Sequence, residues 1–76
     1  MYNRKEEREY FSKVLNKLFR EKDITKKYFS DLTGISTNKL YHYLHGNTFP
    51  VGHDFHKLAE FFGYTFEEFW NLTHEK

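Results

Sequence analysis

The side chains best equipped for recognition chemistry sit close together in Thr37-Asn-Lys-Leu-Tyr-His42, followed by His45 and Thr48. The planar amide of Asn38 carries a donor and an acceptor side by side, the arrangement that pairs with the edge of adenine. Lysine and histidine supply donors to guanine or phosphate, and a threonine methyl suits the thymine methyl. Lys26, Lys27 and Lys39 are cations that no apolar face needs for packing, so phosphate contact is the chemistry expected of them. Two histidine pairs at i, i+3, His42 with His45 and His53 with His56, also invite a metal reading. Each pair supplies only half a tetrahedral shell, and the chain has no cysteine to complete it, so no metal is expected. The consequence expected of His42 and His45 is titration, because a protonated imidazole holds phosphate more tightly. No serine or threonine stands in a sequence pattern with a base and an orienting group, so no catalytic residue, cofactor or enzymatic activity is expected.

The chain's length and charge frame these side chains. Its 76 residues fit one domain, 1–76, near the lower size limit for folding alone. Nine phenylalanines and six tyrosines supply large rings for a small core. The formal net charge is only +1. It is segregated: residues 17–48 carry six basic against three acidic side chains, and residues 49–76 carry two against five. Positive charge is therefore concentrated where the recognition chemistry lies. The charged N-terminal stretch and the lack of a long apolar run point away from a secretory signal or a membrane span, and hence to the cytoplasm.

The elements that must position these residues are all helical. Phe11, Val14, Leu15, Leu18 and Phe19 recur at i, i+3, i+4, i+7, i+8, which predicts a helix over about 4–22. Thr25 caps a second, short helix with Tyr28, Phe29 and Leu32 on its apolar side, and Gly34 ends it. Gly34-Ile-Ser36 is a three-residue connection, and Ser36 caps a third helix to about His45. A fourth helix carries Phe55, Leu58, Ala59 and Phe62 after Pro50 and stops at Gly63. Thr65-Phe-Glu-Glu68 is a capping box that opens a fifth through Phe69 and Trp70, fraying over 71–76. The predicted fold is all-α with five helices.

The pair of short helices between Thr25 and Gly46 meets a strict physical requirement. A helix enters a major groove about 12 Å wide only if its inner face is apolar and its outer face free and polar. Phe29, Leu32, Ile35, Leu40 and Leu44 are expected inside, and Thr37, Asn38, Tyr41, His42 and His45 outside. From Leu15 to Trp70, the Ile24-Thr25 opening, the Gly34-Ile-Ser36 turn, the Gly46 closure, Pro50, Leu58-Ala59 and Gly63-Tyr-Thr-Phe-Glu-Glu68 follow one another in an order that resembles the Cro/phage repressor (Xre-type) helix-turn-helix family. The resemblance implies a compact five-helix lambda-repressor-like domain with its helix-turn-helix at 25–46 and its recognition helix at about 36–45. It further implies a transcriptional regulator that binds double-stranded DNA. Thr37, Asn38, Lys39 and His42 are then the base-reading set, and Lys26, Lys27, Tyr41, His45 and Thr48 the backbone-contacting set. Where the family commonly carries Gln and Ala, this chain has Lys26 and Ser30, so Lys26 acts as a point charge on phosphate. No arginine follows Arg20, which removes the bidentate arginine–guanine contact and leans the expected site toward A·T pairs.

The stretch Phe61-Phe-Gly-Tyr-Thr-Phe-Glu-Glu-Phe-Trp70 is strongly aromatic. It is either core or a self-association surface through Phe66, Phe69 and Trp70, which a homodimer on a palindromic operator requires. A protein-interaction module, such as an antitoxin or adaptor on the same fold, is the alternative function. An RNA or single-strand binder stacking bases on Tyr41 and Tyr43 is a further rival, without a sheet to support the rings.

Overall fold

Charged side chains cover most of the first helix, and a stripe of leucines and phenylalanines buries its remaining face. In a computed structural model describing residues 4–74, α1 runs Arg4–Lys22. Phe11, Leu15, Leu18 and Phe19 are buried and Val14 is packed against them at the edge. The chain leaves α1 through Asp23 at φ 52°, a left-handed position that aspartate tolerates better than most residues.

Local hydrogen bonds set the ends of the next helices. The Thr25 hydroxyl accepts from the Tyr28 N–H at 3.1 Å and opens α2, Lys26–Thr33. Gly34, at φ 78°, closes it and donates its N–H to the Ser30 carbonyl at 2.9 Å. The Ser36 hydroxyl accepts from the Lys39 N–H at 3.1 Å and opens α3, Thr37–Leu44. Next, α4 covers Gly52–Phe61 and α5 covers Phe66–His74. The capping box before α5 is reciprocal: Thr65 N–H donates to the Glu68 carboxylate at 2.9 Å, and Glu68 N–H to the Thr65 hydroxyl at 3.1 Å. The protein is thus all-α, with five helices and no strand among the described residues. None of these helices is long and apolar enough to cross a membrane.

Eight of the nine phenylalanines lie in the core or against it. One cluster joins Phe11 to Phe49 at 5.0 Å and to Phe69 at 6.2 Å between ring centroids. A second joins Phe29 to Phe19 at 5.3 Å and to Phe61 at 4.7 Å. Burying one such ring stabilises the fold by about 1.5–3 kcal/mol relative to leaving it in water.

Three expectations change. Leu32, expected on the inner face, is 60% exposed, because the buried side of a two-turn helix is filled by Phe29 and flanked by Phe61 and Phe62. Phe69, expected as a dimer-surface residue, is completely buried between Phe11, Phe55 and Tyr64 and belongs to the core. Helix α5 does not fray from residue 71 but continues to His74, because Thr73 is buried and donates its hydroxyl to the Phe69 carbonyl at 2.9 Å.

Candidate nucleic-acid interface

Helix α3 has eight residues, and its i, i+4 neighbours form four ridges. Leu40 and Leu44 form the ridge buried in the core. Thr37, Tyr41 and the capping His45 form an exposed ridge, with Asn38 and His42 beside it. Lys39 and Tyr43 form the fourth, which faces α4.

The far end of this helix is tied to α1. Asn16 Nδ2 donates to the Leu44 carbonyl at 2.8 Å and to the Ser12 carbonyl at 2.7 Å. Arg8 Nε donates to the Gly46 carbonyl at 3.3 Å. Carbonyls at a helix C-terminus lack intrahelical donors, and these side chains supply them while fixing where α3 ends against α1. Gly46, at φ 71°, also lies close to α1: a Cβ there would meet the Arg8 carbonyl at 3.6 Å and Ser12 Oγ at 3.5 Å.

On the exposed ridges the side chains are ordered by one another. The His45 ring lies on Tyr41, with centroids 4.0 Å apart and planes at 25°, and its Nδ1 is 2.8 Å from the Tyr41 carbonyl. If that nitrogen carries the proton, it donates to the carbonyl, and in the neutral ring Nε2 is then an acceptor. Asn47 Nδ2 is 3.1 Å from His42 Nδ1, so the Asn47 amide donates to that nitrogen when the imidazole is neutral. The other ring nitrogen of His42 is then the protonated one, a donor of the kind guanine accepts. Asn38 and Thr37 are exposed, as are Lys26 and Lys27 in the first turn of α2 and Thr48 beyond α3. Lys27 pairs with Asp31 at 3.2 Å, both well exposed, a weak i, i+4 interaction. Lys26 and Lys27 stand at the positive end of the α2 dipole, where cations disfavour the helix but add to its attraction for an anion.

Lys39 is placed differently from the other expected base-readers. Its ammonium is 3.7 Å from Oδ2 of Asp54, a carboxylate in the first turn of α4 that is 3% exposed. The Tyr43 hydroxyl donates to the same oxygen at 2.7 Å, and His53 Nε2 is 3.6 Å from Oδ1. A buried carboxylate costs several kcal/mol unless it is paired and hydrogen-bonded, and this set meets both needs. Asp54 and Asn47 are residues missed in the sequence, and Tyr43, weighed there only for base stacking, instead donates to Asp54. Asp54 had left a signal: it shares an i, i+4, i+8 ridge with Leu58 and Phe62, and a charge on a core ridge requires a partner.

Burial, then the hydrogen bond to Asp54 and its negative charge, hold the Tyr43 phenol well above the ordinary tyrosine range. The folded state thus keeps a proton that the unfolded chain loses near pH 10. The stability this contributes is complete below about pH 10 and is lost as pH rises beyond it. An ultraviolet titration of the tyrosines is expected to show a late phase coinciding with alkaline unfolding. In Tyr43→Phe that phase disappears; its persistence in the variant would assign it to another tyrosine.

Of the expected dimer surface, Phe66 and Trp70 remain outside, 47% and 43% exposed, with parallel rings 6.1 Å apart beside Glu67. No family model, curated protein or solved structure matches this chain.

Proposed function

We propose that this protein is a sequence-specific double-stranded DNA-binding regulator of the Cro/phage repressor type, a cytoplasmic homodimer that works without a cofactor and places α3 in the major groove. One observation carries the reading. Helix α3 is held by its buried Leu40–Leu44 ridge and by the α1 side chains at its end, while two adjoining ridges leave Thr37, Asn38, Tyr41 and His45 exposed and His42 half-buried. A helix about 10–12 Å across fits a groove of about 12 Å, and these are side chains that pair with base edges or phosphates. The positive excess over 17–48 and the lysines at the α2 N-terminus support backbone contact on either side.

The exposed pair Phe66 and Trp70 favours a second reading, a protein-interaction module, because large rings left in water mark interfaces. Selection of bound duplexes from a random library, with a sizing measurement on the free protein, separates the two. A recurrent site with two-fold symmetry, bound by a dimer, is the expected result. Failure to enrich any sequence, with only salt-sensitive binding shared by all duplexes, would replace the DNA reading with the interaction module.

A further inference from the structure

We infer that Asp54 is the positioning residue of the DNA-facing helix: its buried carboxylate fixes the rotation of α3 about its axis through Tyr43 and withholds Lys39 from DNA. The inference rests on the DNA-binding reading and narrows it. Tyr43 and Lys39 are four residues apart on one ridge of α3, and both reach the same carboxylate oxygen, at 2.7 and 3.7 Å. Two contacts from one ridge to one point on α4 leave the helix little freedom to roll, so the ridges carrying Asn38, His42 and Thr37 are set by Asp54.

The same geometry decides where the Lys39 charge acts. The Asp54 side chain is 4% exposed, so its attraction for the ammonium is poorly screened, whereas the lysine itself is 58% exposed. If Lys39 moved to a phosphate, the carboxylate would keep the Tyr43 hydrogen bond and only His53, which pairs with it when protonated. With Asp54 in place, Lys39 contributes no phosphate contact and no base contact. A cation that reached any phosphate within its span would raise affinity for every sequence alike; restraining it preserves discrimination.

The test measures binding to the selected duplex and to an unrelated duplex across a salt series for wild type, Lys39→Ala, Asp54→Asn and the double variant, with helicity checked by circular dichroism. Lys39→Ala is expected to leave affinity within about twofold and the salt slope unchanged. Asp54→Asn frees the lysine, so the slope of log K against log salt steepens by about one unit and binding to the unrelated duplex strengthens. In the double variant the slope returns to the wild-type value while discrimination between the duplexes stays reduced. That return is an effect a merely structural role would not produce. A slope that flattens by one unit in Lys39→Ala, or that does not change in folded Asp54→Asn, would overturn the inference while leaving the DNA reading intact. Wild-type protein that discriminates between no duplexes overturns both. Should Asp54→Asn fail to fold, the Lys39 ammonium resonance of wild type decides: unchanged on DNA binding as expected, or shifted by a phosphate contact, which overturns the inference.

Discussion

Phe69→Asp is expected to abolish the helical circular dichroism and the cooperative thermal transition of this protein, while the same change at Trp70 leaves both in place. Phe69 is fully buried, 5.0 Å from Phe55, 5.9 Å from Tyr64 and 6.2 Å from Phe11 between ring centroids, so it joins α5 to α4 and α1. Truncating a buried phenylalanine costs about 3–5 kcal/mol. A domain of 76 residues has a total stability of roughly 4–11 kcal/mol at the usual value per residue. Phe69→Ala therefore leaves a marginal fold, and an unpaired carboxylate at that site adds a desolvation cost of several kcal/mol that the remainder does not cover.

Trp70 has a different position on the same helix. It is 43% exposed and its main partner is the His74 ring, stacked 3.7 Å away at 12°. Losing that contact costs about 0.5–1.5 kcal/mol beyond area burial, which a folded domain survives. Sizing of Trp70→Asp and Phe66→Asp then reads the second property of this face. If a second copy seats there, both variants are folded monomers with weakened operator binding. A Phe69→Asp protein with full helicity and a cooperative transition would refute the packing of α5 described above.

The other large effect is expected within the α2–α3 pair, where two substitutions give phenotypes of different kinds. On the proposed reading Asn38→Ala removes a bidentate contact to a base edge, and the expected cost is about 1–3 kcal/mol at one base pair of the operator, with tolerance of all four bases there. Asn38 is exposed and outside the core, so the fold is not expected to change. Lys26→Ala removes a charge at the α2 N-terminus that, on the proposed reading, meets only the DNA backbone. Binding then weakens about equally on all duplexes, and the slope of log K against log salt flattens by roughly one unit for the lost phosphate contact. Thermal stability does not fall in this variant and rises slightly, because a cation has left the positive end of a helix dipole. If both variants keep their helicity, their affinity and their salt slope, α3 is not the recognition helix and the protein-interaction reading takes its place.

The number of helices, their type and most of their ends were legible in the sequence because the groups that decide them lie within four residues of one another. Thr25, Ser36 and Thr65 each cap an N–H three positions on, and Gly34 stops α2 with a bond to Ser30. Periodicity also identified Phe11, Leu15 and Leu18 as core, since a helix of five turns averages over many positions. It failed where a helix is short or where aromatic residues crowd one turn. Phe66, Phe69 and Trp70 are all large and apolar and all reach Phe55, and only the place of Phe11 and Tyr64 against Phe69 decides that it is inside and the other two are not. Leu32 was left outside because Phe29, Phe61 and Phe62 already fill the space beside it. The outward set on α3 was readable in part, through the alternation of Leu40 and Leu44 with polar neighbours. The direction of Lys39 was not, because its partner Asp54 comes from another helix, brought close only once α4 has packed. The same holds for Asn16, whose amide reaches the Leu44 carbonyl across 28 positions of chain. Short-range hydrogen bonds and side-chain spacing are written in order along the sequence; which of several equivalent rings is buried, and which charge meets which, depends on contacts that exist only after the helices have closed around one core.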